Sequence, residues 1–275
     1  MTVPFGARVT AAVSQRGPLC VGIDPHPGLL EAWGLPASAG GLERFAMTCV
    51  EALAPEIAVL KPQSAFFEAF GSRGIAVLER VVAESRAAGA LVLMDVKRGD
   101  IDSTMAAYGA AYLGEGSPLA GDAVTVSPFL GFGSLGPALS LAETTGRGIF
   151  VLALTSNKEG ASVQRAVTGD GRTVAQTIVD EAAACNADAS PLGSVGLVVG
   201  ATVGRTELDL SALNGPILAP GFGAQGATVA DLATVFGESL RQVLPSTSRD
   251  VLRHGPDPAA LRAAALRIRD SLGEY

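Results

Sequence analysis

The chain has 275 residues, 48% hydrophobic and 17% charged, enough apolar material for a sizeable core in one large α/β domain or two small ones. Its net charge of −7 argues against nucleic acid or an anionic membrane surface as a partner, but leaves room for a small anion held by a few local cations. No run of about 18 uncharged apolar residues occurs, and the stretch from Met1 to Gly17 lacks a signal-peptide apolar core. Cys20, Cys49 and Cys185 form no Cys-x-x-Cys and read as buried thiols in a reduced cytoplasm.

In chain order, Leu19 to Asp24 reads as a short strand ending in an acid, followed by turn prolines Pro25 and Pro27. Helical spacing follows over Gly41 to Leu53, then a strand over Ile57 to Pro62 that carries Lys61 near its end. Val77, Leu78, Val81 and Val82 mark a helix that stops at Gly89. A third strand begins with four apolar residues, Leu91 to Met94, and the charges start abruptly after it. Further strands are expected over Ala123–Pro128, Gly148–Leu154, Val195–Ala201, Pro216–Pro220 and Val243–Pro245. Helical stretches are expected over Asp100–Leu113, Arg172–Asn186, Val229–Gln242 and Pro258–Leu272. Eight strands separated by helical segments, without a composition break, predict a single (β/α)8 TIM barrel spanning residues 1–275. An open doubly wound sheet is the alternative that eight near-even units disfavour.

Barrel sites form at the carboxyl ends of the strands. Those ends supply Asp24, Lys61, Asp95, Lys97, Ser127 and Ser156. Side chains two apart on a strand share a face, so Asp95 and Lys97 point the same way, with Asp100 expected at the next helix start. Flanking carboxylates oppose deprotonation of a lysine. Taken alone, Asp95, Lys97 and Asp100 are better explained by a surface ion-pair cluster; their place after an apolar strand turns the reading toward a site. Gly221-Phe222-Gly223-Ala224-Gln225-Gly226 matches G-x-G-x-x-G, but it lies in the seventh unit and position 241 is Arg rather than an acid. It suits a phosphate cradle better than a dinucleotide site, with backbone N–H groups of Gly223 and Gly226 as donors. Arg249 follows the eighth strand where it could fork onto that phosphate, or pair with Asp250. His26 and His254 lack ligand spacing, so no metal is expected, and Trp33, Tyr108 and Tyr112 read as packing.

With these residues assigned, the chain resembles the orotidine 5′-phosphate decarboxylases in their longer bacterial form. Asp95-Val96-Lys97-Arg98-Gly99-Asp100-Ile101-Asp102-Ser103-Thr104 matches the family's Asp-x-Lys-x-x-Asp-Ile-x-x-Thr. Gly22-Ile23-Asp24-Pro25-His26-Pro27, Lys61-Pro62-Gln63, Thr125-Val126-Ser127-Pro128, Thr155-Ser156-Asn157, Pro220 to Gly226 and Pro245 to Arg249 extend the likeness over nearly every unit. The resemblance implies a homodimer without metal or cofactor that converts orotidine 5′-phosphate to UMP and CO2. It makes Lys97 the proton donor and sets Asp95 beside the substrate carboxylate. It assigns Lys61 and Asp24 to the ribose, with Lys61 also joining a catalytic charge network of Asp95, Lys97 and Asp100, Ser156 to the pyrimidine, and Gln225 and Arg249 to the phosphate. Asp100, Ile101 and Thr104 match residues that reach the neighbouring subunit's site. Two positions depart from the family pattern: Lys158 stands where Pro is common, and Ala227 where Gly is common. A related metal-dependent barrel, hexulose-phosphate synthase, shares the Asp-x-Lys-x-x-Asp strand but lacks the strand-2 lysine; a barrel that only binds nucleotide phosphates is the non-enzymatic alternative.

Overall fold

The computed structural model describes residues 2–204, 208–223 and 226–273. Eight parallel strands close into a barrel in sequence order: β1 (Cys20–Ile23), β2 (Val59–Pro62), β3 (Leu91–Arg98), β4 (Ala123–Val126), β5 (Gly148–Leu154), β6 (Val195–Val199), β7 (Ile217–Pro220) and β8 (Val243–Thr247). Strand residues alternate between two environments, as the two-residue period of a strand requires. One residue from each strand meets in the barrel interior: Cys20, Val59, Leu93, Ala123, Phe150, Val198, Leu218 and Leu244. Their neighbours, among them Val21, Leu60, Met94, Val124, Val151 and Ile217, pack outward against the helices. Apolar runs that show no alternation in the sequence are therefore buried on both faces.

The amino-terminal helix Phe5–Arg16 is an element that residue spacing does not bring out. Its Phe5 and Val9 are buried in the interior cluster, and the Phe5 ring meets Phe150 edge-on at 5.9 Å. This helix plugs the amino end of the barrel, where the burial of Phe5 contributes about 2–3 kcal/mol. Gly148 opens β5 beside the plug, and a Cβ there would lie 2.3 Å from the Phe5 ring.

Several boundaries differ from the sequence reading. β3 runs on through Arg98, so its charges lie inside the strand rather than beyond it. The following helix starts at Asp102, and Asp100 does not cap it; the Asp100 carboxylate accepts from the Ile101 amide at 2.8 Å instead. The expected Val229–Gln242 helix is α-helical only over Val229–Phe236, because Gly237 turns left-handed (φ 50°) and a 3-10 segment continues to Gln242. Cys20 and Cys49 are buried, whereas Cys185 is exposed, since it sits on the outer side of its helix. Trp33 is packing, stacked at 4.2 Å on Phe45 with its indole N–H donated to the Leu252 carbonyl at 2.9 Å. Among the described residues, no helix is long and apolar enough to cross a membrane.

Candidate active site

The inward face of β3 changes from Leu93 to Asp95 to Lys97 as the strand approaches the carboxyl end of the barrel. On β2 the same progression takes Val59 to Lys61. The two strands are neighbours, so the lysines meet one carboxylate: Lys61 Nζ lies 2.8 Å from Asp95 Oδ2, and Lys97 Nζ 2.5 Å from Asp95 Oδ1. Lys61 and Asp95 are buried, while the Lys97 side chain is 44% exposed. Burial alone would raise the Asp95 pKa, but Lys61 and Lys97 overcome it and hold the carboxyl well below the usual carboxylate range. Burial would likewise lower Lys61, and Asp95 and Asp24 reverse that, leaving its ammonium above the ordinary lysine value.

The triad forms one wall of a cavity of about 340 Å³ whose lining also includes Asp24, Gln63, Ser156, Asn157, Phe222, Thr247 and Arg249. Among the described residues, Asp24 Oδ1 and Thr247 Oγ1 are buried without a hydrogen-bond partner, and both residues line this space. Such groups are normally satisfied, so here they are open to a bound polar molecule. Arg249 makes no ion pair among the described residues, and Asp250 pairs with Arg253 at 3.4 Å instead. Arg249 thus adds a cation without an ion-pair partner among the described residues to the lining of the same cavity.

The glycine-rich loop turns left-handed at Gly221, Gly223 and Gly226. A Cβ on Gly223 would lie 2.1 Å from Asp250 Oδ2, so only glycine fits. The Gly223 amide donates to the Ala227 carbonyl at 2.9 Å, and the Gly226 amide to the Gly223 carbonyl at 2.6 Å. Both therefore close the loop on itself, and Gly221 and Phe222 are its cavity-lining members. Gln225 lies outside the described residues. After β5, Lys158 opens a 3-10 turn, and Gln164 ties the loop back by bonding the Thr155 amide (2.9 Å) and hydroxyl (2.7 Å).

Asp100, Ile101 and Thr104 do not line the cavity of their own chain. Ile101 and Thr104 are exposed; Ile101 (53%) stands on the loop beside that of Phe129 (77%) and Leu130 (52%), large apolar side chains left facing outward. Among the described residues, no three His, Cys, Asp or Glu side chains gather as a metal site.

The sequence model of the orotidine 5′-phosphate decarboxylase / HUMPS family matches residues 17–264. The chain belongs to that family. It is an enzyme, similar to the curated orotidine 5′-phosphate decarboxylases of Salinispora tropica and Streptomyces coelicolor. The first is 66% identical over 96% of this chain and 95% of the relative, and the second 63% identical over the same shares. A crystal structure from Streptomyces avermitilis, 62% identical, superposes with a TM-score of 0.97 over 99% of this chain and 96% of that one. The OMP decarboxylase of Leishmania donovani, 29% identical, has a TM-score of 0.75 over 98% and 97%.

Two residues at this decarboxylase-family site are not singled out by residue spacing. Gln63 donates from Nε2 to the Asp95 carbonyl at 3.3 Å and accepts from Lys61 Nζ at 3.5 Å. Thr125, in β4, donates its hydroxyl to Asp95 Oδ1 at 2.9 Å. Both fall within motifs that carry the family likeness, Lys61-Pro62-Gln63 and Thr125-Val126-Ser127-Pro128, and both stand toward the carboxyl ends of the strands adjoining the charged one.

Proposed function

We propose that the whole chain, residues 1–275, acts as one barrel domain that decarboxylates orotidine 5′-phosphate to UMP and CO2 in pyrimidine biosynthesis. The observation that carries this reading is the Lys61–Asp95–Lys97 ion triad lining one cavity together with Arg249. The C6–carboxylate bond breaks, CO2 leaves, and the electron pair stays on C6, where the ring delocalises it poorly. The Lys97 ammonium stabilises that charge as it develops and then transfers a proton to C6, becoming a neutral amine that water reprotonates. Asp95, held ionised by its two lysines, faces the substrate carboxylate and disfavours the ground state more than the CO2-like transition state. Lys61 anchors Asp95 and, with Asp24, contacts the ribose. Ser156 contacts the pyrimidine.

The phosphate goes to Arg249 and Gln225, with the left-handed turns at Gly223 and Gly226 giving the loop its shape. A positioned acid contributes about 10²–10⁴-fold, so remote phosphate binding has to supply further transition-state stabilisation. Asp100, Ile101 and Thr104 serve the partner's site in a homodimer, which gives the exposed apolar loops after β3 and β4 a reason to exist. The setting is cytoplasmic, the ligands are small nucleotides, and neither metal nor organic cofactor takes part.

Purified protein added to orotidine 5′-phosphate is expected to bleach the substrate's absorbance with stoichiometric UMP, before and after exhaustive chelation. No UMP, or turnover lost to EDTA and restored by magnesium, overturns the reading.

A further inference from the structure

We propose that Thr125 is a positioning residue whose hydroxyl ties the backbone of Lys97 to the carboxylate of Asp95. The inference rests on the decarboxylation reading above for its catalytic consequence, and on hydrogen-bond geometry for the clamp itself. The β3–β4 ladder pairs Leu93 with Ala123 and Met94 with Val124, and next pairs Arg98 with Val126. Four steps along β3 are thus matched by two along β4. In such a bulge the extra residues lose their ladder partners. The amides of Val96 and Lys97 fall in this gap, and both donate to Thr125 Oγ1, each at 3.0 Å. Regular pairing resumes where the Ser127 amide donates to the Arg98 carbonyl at 2.8 Å.

A hydroxyl has one proton and two lone pairs. Both lone pairs are taken by the two amides, so the proton has one remaining direction, toward Asp95 Oδ1 at 2.9 Å. That oxygen is the one that receives Lys97 Nζ. The fully buried Thr125 therefore holds the lysine from its backbone and, through Asp95, from its ammonium. Such holding is required, because Lys97 has φ 49°, a left-handed conformation that a residue with a side chain keeps only when its surroundings impose it. Arg98 pins the far side of the bulge, its guanidinium 2.6 Å from Glu68 and stacked over the Tyr108 ring at 5.8 Å.

Position and volume alone would make Thr125 an ordinary core residue, and the two roles predict opposite responses to substitution. Thr125→Val keeps the shape and removes all three hydrogen bonds; Thr125→Ser keeps the hydroxyl and removes a methyl. For a positioning role, Thr125→Val lowers kcat about 10²-fold, the cost of a reacting group misplaced by an ångström, while KM and UMP affinity stay within about threefold. Thr125→Ser retains kcat within about threefold of the parent. Should the valine variant fail to fold, Thr125→Cys replaces it, since a thiol near serine in size is a weak donor and acceptor; it is expected to lose turnover where serine keeps it.

Amide hydrogen exchange by NMR reads the clamp without reference to the reaction. The Val96 and Lys97 amides are expected to be protected in the parent and in Thr125→Ser, and to exchange faster in the valine or cysteine variant. Parent-like kcat in that variant, or unchanged exchange at both amides, overturns the proposal. If the parent itself releases no CO2 while the exchange pattern holds, the failure lies in the assignment of the reaction and not in the clamp.

Discussion

The barrel carries the same constellation twice, a buried aspartate between two cations, once at each end. At the carboxyl mouth Asp95 sits between Lys61 and Lys97. At the amino end Asp122 sits between Arg8 at 2.5 Å and Arg86 at 3.5 Å, its second oxygen accepting from the Val92 amide at 2.9 Å. The difference lies in what the remaining donors do. Arg8 turns its other Nη to the Gly146 carbonyl at 2.8 Å, so the lower cluster staples the plug helix to the loop before β5. An arginine also has no proton to give at neutral pH. At the mouth the cations are lysines, and Lys97 is half exposed to a cavity lined by unsatisfied polar atoms. Charge geometry alone does not separate a staple from a proposed catalytic centre; cation type and an open face do.

The sharpest way to break this contrast concerns the proposed sharing of the site between two subunits. Asp100→Ala and Lys97→Ala homodimers should each lose about 10³-fold or more in turnover, since every site lacks one member. In a mixed dimer one site carries both lesions and the other neither, so random reassortment should restore roughly a quarter of all sites. Refolding the two variants together and finding no activity above the average of the parents, with subunit exchange confirmed, would place Asp100 in its own subunit's site. Arg249→Ala comes next: kcat/KM should fall about 10²-fold, divided between KM and kcat if phosphate binding is used in the transition state. A change confined to KM in steady-state kinetics reduces Arg249 to substrate capture.

At the amino end the effect should fall on stability. Arg8→Ala leaves Asp122 with a weaker partner, costs about 1–3 kcal/mol and lowers the thermal midpoint by several degrees, with kcat within about twofold. A large loss of kcat in a folded Arg8→Ala protein would erase the distinction between the ends. The smallest effect is on pH dependence. Asp95 is depressed, so its contribution is complete above the unfolded carboxylate value of about 3.9 and fades as pH falls below it. Lys61 is raised, so its share is complete below about 10.4 and fades as pH rises. Melting curves of Asp95→Asn should accordingly show a shallower decline in acid than those of the parent.

The strand count, the barrel and the charged run on β3 were legible because each rests on local patterning: apolar runs, helical spacing and a period of two. Asp95 and Lys97 share a face as that period requires, although the backbone between them leaves the regular ladder. The bulge was not legible, because it depends on a threonine 28 residues beyond Lys97 accepting amides that no sequence pattern marks as unpaired. Asp100 looks like a helix cap because an acid follows a glycine, yet the left-handed turn at Asp102 (φ 46°) delays the helix by one half-turn. The plug helix was hidden for another reason: only Phe5, Gly6 and Val9 of its residues are buried, too few for a clear apolar stripe.

Lys97→Ala removes the proposed proton source and leaves Arg249 and the glycine-rich loop untouched, so it separates proton transfer from phosphate binding. Calorimetric titration with UMP and a single-turnover assay with orotidine 5′-phosphate should be run on the same preparation. UMP affinity is expected within about tenfold of the parent, and turnover lower by about 10³-fold or more. Turnover within about tenfold of the parent would contradict Lys97 as the acid, and with it the division of labour between the two ends of the barrel.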